Sequence, residues 1–233
     1  MTTLIWLRDD LRLADHPALT AACAAAHGPV VALWIHETRR TDEENNRHGP
    51  RPLGAAARWW YHRSLQQLAP RLANLGIPLV LARGDAANVM RRVVDTVQPM
   101  CVHWTRRYAP AACRLDAAIK QELNSRTEVH SHPGSLLVEP WLIQTANGSH
   151  YQVFTPFSRA VADLPLGALL PEPSPVDHRT VRPQPWPRCG RTVSCRTWRT
   201  LACSTTAPPG GTTPSNSTGS PVNWQPGSNW TPS

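Results

Sequence analysis

The chain has 233 residues and a mass of 25.7 kDa, a length typical of one domain or of a domain with an appendage. Its formal charge of +8 would suggest a nucleic-acid partner, but six arginines and no acidic residue follow Asp177, so the first 177 residues carry only +2. No apolar run reaches the roughly 20 residues that a membrane helix needs, and residues 3–7 are too short for the apolar core of a secretory signal, so we expect a cytoplasmic protein.

Short apolar runs alternate with segments of helical spacing from residue 3 to about residue 126, which is typical of an α/β domain with a parallel sheet. Strands are predicted at residues 3–7, 30–35, 77–82 and 100–104, with a possible fifth at 128–132. Helices are predicted at residues 16–26, 53–75, 86–97 and 110–123. We expect Asp15 and Asp85 to cap the first and third helices, and Gly76 to end the second.

Residues 134–165 combine apolar segments at 136–143 and 151–157 with a predicted turn at Asn147-Gly148. From residue 166 onward the prolines exclude regular structure, and beyond residue 200 the chain is rich in Ser, Thr, Pro, Gly and Asn. This tail cannot form a second core.

Ligands usually bind a parallel α/β sheet at the carboxyl ends of its strands. The residues predicted there are Arg8, Asp9, Asp10, Arg12, His36, Glu37, Gly84, Asp85, Thr105, Arg106, Arg107 and Tyr108. Neither a Gly-x-Gly-x-x-Gly sequence nor a P-loop is present, which argues against a dinucleotide or ATP site of the usual kind. The charges at 8–12 favour a local ion-pair network over a ligand role, and Arg106 and Arg107 favour a solvated surface.

The tryptophans at positions 59 and 60 and Leu68 lie in the long predicted helix, and we interpret them as core rather than as a stacking surface. The six cysteines form no Cys-x-x-Cys pair, and no histidine has a cysteine or acidic partner at metal-ligand spacing. We therefore expect free thiols and no metal site. No nucleophile–base arrangement or carboxylate pair can be assembled, so the sequence assigns no catalytic residue.

The sequence of residues 4–19 is LIWLRDDLRLADHPAL. It resembles the start of the DNA photolyase and cryptochrome family, whose pattern is W-F-R-x-D-L-R-x-x-D-N-x-A-L, with His16 where Asn is usual. The similarity continues in later segments, which are RWW at 58–60, residues 65–72, GIPL at 76–79, GD at 84–85, VHW at 102–104, YAP at 108–110, Asp116 and YQVFTPF at 151–157.

The resemblance implies a Rossmann-like domain with a doubly wound sheet of five parallel strands, which carries an antenna chromophore. In this family a larger helical domain follows, which binds FAD and repairs flipped cyclobutane pyrimidine dimers in damaged DNA under blue light. The implied antenna pocket comprises Leu7, Arg8, Asp10, Trp34, His36, Arg106, Arg107 and Tyr108. Folate-using members have an Asn-Glu pair where this chain has Ala111-Ala112, so a deazaflavin or another flavin is expected rather than a folate, and an empty pocket is the remaining alternative.

The predicted organisation is an α/β domain at 1–133, a connection toward the helical FAD domain at 134–170 and an unstructured tail at 171–233. When GC-rich codons are assigned to the tail residues and the reading frame is shifted by two nucleotides, the new frame can encode an acidic, leucine-rich amino-acid sequence similar to that of photolyases. We therefore expect a frame break between residues 176 and 191 and an inactive, poorly soluble fragment with exposed apolar surface at 154–157. Little or no DNA binding is expected of it. The alternatives are a cryptochrome-like photoreceptor fragment and a stand-alone nucleotide-binding module.

Overall fold

The computed structural model describes residues 2–25, 28–38, 53–164 and 167–175. The strands are β1 (Thr3–Leu7), β2 (Val30–Glu37), β3 (Leu79–Gly84), β4 (Cys101–Thr105) and β5 (Glu128–His132). The helices are α1 (Pro17–Ala24), α2 (Ala55–Asn74), α3 (Ala86–Val97), α4 (Pro110–Leu123) and α5 (Phe154–Ala162). The predicted frame break and the tail beyond residue 175 lie outside the described residues.

The five strands form one parallel sheet in the order β3-β2-β1-β4-β5. The chain builds outward from β1 to β3 and then crosses back to place β4 on the other side of β1. The strand order therefore reverses between β1 and β4, the position at which open α/β sheets usually bind their ligands. The predicted Rossmann-like α/β fold is confirmed.

Alternating residues of the strands divide the core between the two faces of the sheet. On one face, Ile5 and Trp34 pack with the buried residues of α1 and α2. On the other, Leu4, Trp6 and Trp104 pack with those of α3 and α4. Burial on both faces explains why β1 and β4 are continuously buried, as expected for the inner strands of a parallel sheet.

Two helix-end predictions are confirmed. The Asp85 carboxylate accepts a hydrogen bond of 3.0 Å from the amide of Asn88 and caps α3. Gly76 follows α2 with a φ of 75°, and the amide of Ile77 bonds back to the carbonyl of Leu72 at 2.9 Å. This bond keeps Ile77 in the helix terminus, so β3 begins two residues later than predicted.

Two other predictions are wrong. Asp15 does not cap α1: it has a φ of 52°, and the Nδ1 atom of His16 accepts the capping hydrogen bond from the amide of Leu19 at 3.1 Å. Trp59 and Trp60 are not core residues, because they are 62% and 50% exposed. In α2 the core positions are Leu65, Leu68 and Leu72, which follow one face of the helix.

The segment after β5 contains a short 3₁₀ helix at Pro140–Leu142 and α5. The predicted turn is confirmed at Gly148, which has a φ of 73° and donates its amide to the carbonyl of Thr145. The predicted apolar exposure near residues 154–157 is also present, since Phe154 is 76% exposed. No sequence pattern had predicted α5 itself, since the segment was interpreted only as an apolar run.

Candidate functional site

A cleft lies at the carboxyl ends of β1, β2 and β4, next to the reversal in strand order. Its volume is about 280 Å³. The lining residues are Arg8, Asp9, Trp34, Ile35, Glu37, Leu53, Tyr61, Arg107, Ala109, Ala111 and Ala112. The sheet supplies the charged groups, α2 supplies Tyr61, and the first turn of α4 supplies small alanine side chains.

The innermost charge of the cleft is Arg8, whose side chain is only 3% exposed. Its guanidinium donates two hydrogen bonds to Asp116, at 2.6 and 2.9 Å, and a third to the carbonyl of Thr105. The guanidinium also lies 4.4 Å from the ring centre of Trp6. Burial lowers the pKa of Arg8, and the bidentate contact with Asp116 opposes that effect. Arg8 is therefore held in one orientation by charge, hydrogen bonds and ring contact together.

The second buried arginine is Arg107, which connects two carboxylates. It donates to Oε1 of Glu37 at 2.8 Å and to Oδ1 of Asp116 at 3.4 Å. Burial would lower the pKa of Arg107, but the charges of Glu37 and Asp116 outweigh it and raise that pKa. We call Arg8, Glu37, Arg107 and Asp116 the cleft network.

The cleft network leaves polar atoms without partners. The Nε atoms of Arg8 and Arg107 and the Oε2 atom of Glu37 are buried, and none has a hydrogen-bond partner among the described residues. Most buried polar groups in proteins are hydrogen-bonded, because an unpaired one costs about 1–3 kcal/mol. Arg8, Glu37 and Arg107 thus line the cleft and each keeps one covered polar atom that is unpaired within the described part of the chain.

An aromatic wall completes the cleft. The rings of Trp34 and Tyr61 are 5.5 Å apart and tilted by 42°, and His36 stacks on Trp34 at 6.1 Å. The hydroxyl of Tyr61 donates to Asp9 at 2.8 Å, and burial together with that hydrogen bond raises the pKa of Tyr61. Two flat side chains beside fixed donors and acceptors are suited to a planar ligand with polar edges.

The structure brings three of the eight predicted pocket residues to the cleft: Arg8, Trp34 and Arg107. Leu7 is buried in the core, and His36 lies beyond Trp34 without lining the cleft. Asp10 points to Arg12, with which it makes an ion pair at 2.9 Å.

The remaining two predicted residues belong to a separate cluster. Arg106 donates to Oε1 of Glu139 at 2.7 Å, and the Tyr108 hydroxyl donates to Oε2 at 2.8 Å. Burial and the hydrogen bond to Glu139 raise the pKa of Tyr108 to about 12. We call Arg106, Tyr108 and Glu139 the Glu139 clamp, because it attaches residue 139 to the end of β4.

The sequence prediction missed Asp9, Glu37, Tyr61 and Asp116 as members of the site. Asp9 and Glu37 had been predicted to lie at the ends of strands, and Asp116 had been identified as one of the residues similar to the family. Tyr61 had no such signal, because its role depends on how α2 packs against β2. Among the described residues, no group of three or more His, Cys, Asp or Glu is arranged to hold a metal ion. None of the described helices is long and apolar enough to cross a membrane.

Comparison with known proteins decides the family. The model of the DNA photolyase family matches residues 3–176. The chain belongs to the DNA photolyase family. A deoxyribodipyrimidine photo-lyase of Agrobacterium fabrum is 40% identical over 159 residues, which is 68% of this chain and 31% of the relative. Cryptochrome-2 of Arabidopsis thaliana is 31% identical over 73% of this chain and 27% of the relative. The chain thus spans about a third or less of the length of these relatives.

Solved structures of the family agree with the fold. A class III photolyase from Agrobacterium tumefaciens gives a TM-score of 0.67 at 37% identity, covering 78% of this chain and 36% of that one. An archaeal photolyase from Sulfolobus tokodaii, described with two FAD molecules, gives a TM-score of 0.61 at 22% identity, over 76% and 38% of the two chains. The described residues therefore correspond to the N-terminal α/β domain of the photolyase family.

Proposed function

We propose that this α/β domain binds a planar, light-absorbing chromophore in the cleft and serves as the light-harvesting domain of a DNA photolyase. The observation that carries the proposal is the set of buried, unpartnered atoms on Glu37 and Arg107 beside the rings of Trp34 and Tyr61. When bound, such a chromophore supplies absorption in the near ultraviolet or blue. The protein's residues orient it and exclude water from its polar edge.

The donor and acceptor pattern favours a deazaflavin or another flavin over a folate. The imide edge of a flavin presents one N–H between two carbonyl oxygens, which suits a single carboxylate oxygen next to an N–H donor. A pterin edge presents neighbouring N–H and amino groups, which suit both oxygens of a free carboxylate. Arg107 already occupies Oε1 of Glu37, and the alanines at positions 111 and 112 carry no polar side chain.

We assign the repair reaction to a region outside residues 3–176, the FAD-binding region that the family resemblance implies, with damaged DNA as its substrate. Residues 134–170 would connect to that region, and their exposed apolar side chains support such a contact. These side chains include Trp141, Leu142, Phe154 and Phe157. The 40% identity to a relative named as a photo-lyase favours repair over cryptochrome signalling, but the relatives named as cryptochromes at 31–32% keep signalling as the second candidate.

Titration of the purified chain with riboflavin 5′-phosphate and with methenyltetrahydrofolate tests the cleft and its preference. We expect the flavin to bind and to quench tryptophan fluorescence, because Trp34 lines the cleft. Glu37→Gln should weaken flavin binding about tenfold, since it replaces a charged acceptor. The matched control is Glu122→Gln. Glu122 is a residue of α4 that pairs with Arg91 of α3 and does not line the cleft.

Binding of neither compound would refute the cleft as a chromophore site. Binding of the folate without the flavin would keep the site and refute the flavin assignment. Equal effects of Glu37→Gln and Glu122→Gln would refute the role given to Glu37.

A further inference from the structure

The first half of α2 presents two tryptophans to solvent. Trp59 is 62% exposed and Trp60 is 50% exposed, on a helix whose core face is formed by leucines. The guanidinium of Arg63, one turn later, lies 5.8 Å from the ring centre of Trp59. Neither tryptophan lines the cleft, so the chromophore does not explain their exposure. Exposed aromatic groups of this size, when clustered, commonly mark a binding surface.

The charge of α2 has one sign only. Its 20 residues include Arg58, Arg63 and Arg71 and no aspartate or glutamate. Arg71 pairs with Glu172 at 3.0 Å. Arg58 and Arg63 make no ion pair with any carboxylate of the described residues.

A further arginine extends this surface across the end of the sheet. Arg83, at the end of β3, also makes no ion pair within the described part of the chain. Arg83 lies opposite His36 in the register of β2 and β3. After burial, the charges of Arg83 and Arg58 lower the pKa of His36. We call Arg58, Trp59, Trp60, Arg63 and Arg83 the α2 surface.

We propose that the α2 surface binds single-stranded nucleic acid, with bases stacked on Trp59 and Trp60 and phosphates paired with the arginines. Surfaces that bind single strands combine these two features, because every base has a flat face and every nucleotide a negative charge. An acidic peptide would satisfy the arginines but would offer no ring to the indoles. The sequence-based expectation of little DNA binding considered only the helical domain of the family as the DNA-binding part. The net charge of +2 over the first 177 residues averages over faces of different charge.

Fluorescence anisotropy on the full chain tests the proposal with two labelled probes, an oligothymidylate and an abasic oligonucleotide of the same length. The arginines of the tail attract both probes through their phosphates, so only a stacking surface separates them. We expect the oligothymidylate to bind about tenfold more tightly than the abasic probe. Trp59→Ala combined with Trp60→Ala should remove most of that difference. Trp141→Ala, which alters another tryptophan with 55% exposure, should retain it.

A second variant tests the charges separately. Arg63→Gln should weaken binding of both probes and lower the slope of log affinity against log salt by about one. Arg114→Gln, an exposed arginine of α4, is the matched control. Equal affinity for the two probes, or a preference that survives loss of both tryptophans, would overturn the proposal. So would displacement of the oligothymidylate by polyglutamate at an equal concentration of charge, or occlusion of both tryptophans by dimerisation of the chain.

Discussion

Arg106 and Arg107 are adjacent in sequence, yet they belong to two networks of different character. In the Glu139 clamp, both oxygens of Glu139 have partners, and Arg106 also donates to the carbonyl of Ser131. In the cleft network, Glu37 and Arg107 each keep a buried atom without a partner among the described residues. A protein gains nothing in stability from such atoms. The clamp therefore has the paired polar atoms expected of a structural contact, whereas the cleft network has the unpaired atoms expected if the proposed chromophore binds there.

The largest expected effect comes from Asp116, which holds both arginines of the cleft network. Asp116→Ala leaves the buried guanidinium of Arg8 without its carboxylate, so we expect the free energy of unfolding to fall by about 3–5 kcal/mol in chemical denaturation. The control is Asp95→Ala, which removes an exposed partner of Arg126 and should cost less than about 1 kcal/mol. Equal losses for the two variants would show that Arg8 does not depend on Asp116.

Acid should destabilise the fold at β4 and β5, the strands next to the Glu139 clamp. His103 and His132 share a hydrogen bond of 3.0 Å between their rings, and burial first, then neighbouring positive charges, lower both pKa values to about 4. For His103 those charges are His132 and His130, and for His132 they are His130, Arg106 and His16.

A histidine whose pKa is lower in the folded than in the unfolded state stabilises the fold at pH values above the unfolded-state pKa. The contribution is lost as the pH falls from about 6.5 toward about 4. We expect a loss on the order of 2 kcal/mol over this range, measured by urea unfolding at each pH. His103→Gln should flatten this dependence, whereas His150→Gln, an exposed histidine, should not. An unchanged pH profile in His103→Gln would remove the ring pair as its cause.

The sequence predicted the fold more completely than the site. The runs of apolar residues predicted β1 and β4, because inner parallel strands are buried on both faces and need no alternation. Asp85 and Gly76 predicted helix ends, because capping is a local interaction. Glu37 was predicted only as a strand-end residue, and Tyr61 was not predicted at all, since their places in the cleft depend on the register of β2 and the packing of α2.

For Trp59 and Trp60 the sequence led to a definite prediction that the structure contradicts. Hydrophobicity alone predicts burial, but the helix buries the face of Leu65, Leu68 and Leu72 and leaves the tryptophans outside it. The same holds for the charges of Arg106 and Arg107. The residue types alone favoured a solvated surface for both. In the structure each makes an ion pair instead, and the two side chains belong to different networks because consecutive side chains of an extended segment point in opposite directions.

The smallest effect that still separates the two networks is expected in the clamp. Glu139→Gln keeps the shape of the side chain but weakens its hydrogen bonds with Arg106 and Tyr108, so we expect a loss of about 1–2 kcal/mol. Amide hydrogen exchange should rise in the 3₁₀ helix Pro140–Leu142, which the clamp attaches to β4, while flavin affinity stays unchanged. The companion variant Glu37→Gln should show the reverse pattern, with weaker flavin binding and unchanged exchange at residues 140–142. If Glu139→Gln weakened flavin binding as much as Glu37→Gln does, the two networks would form one site, and the division between clamp and cleft would be wrong.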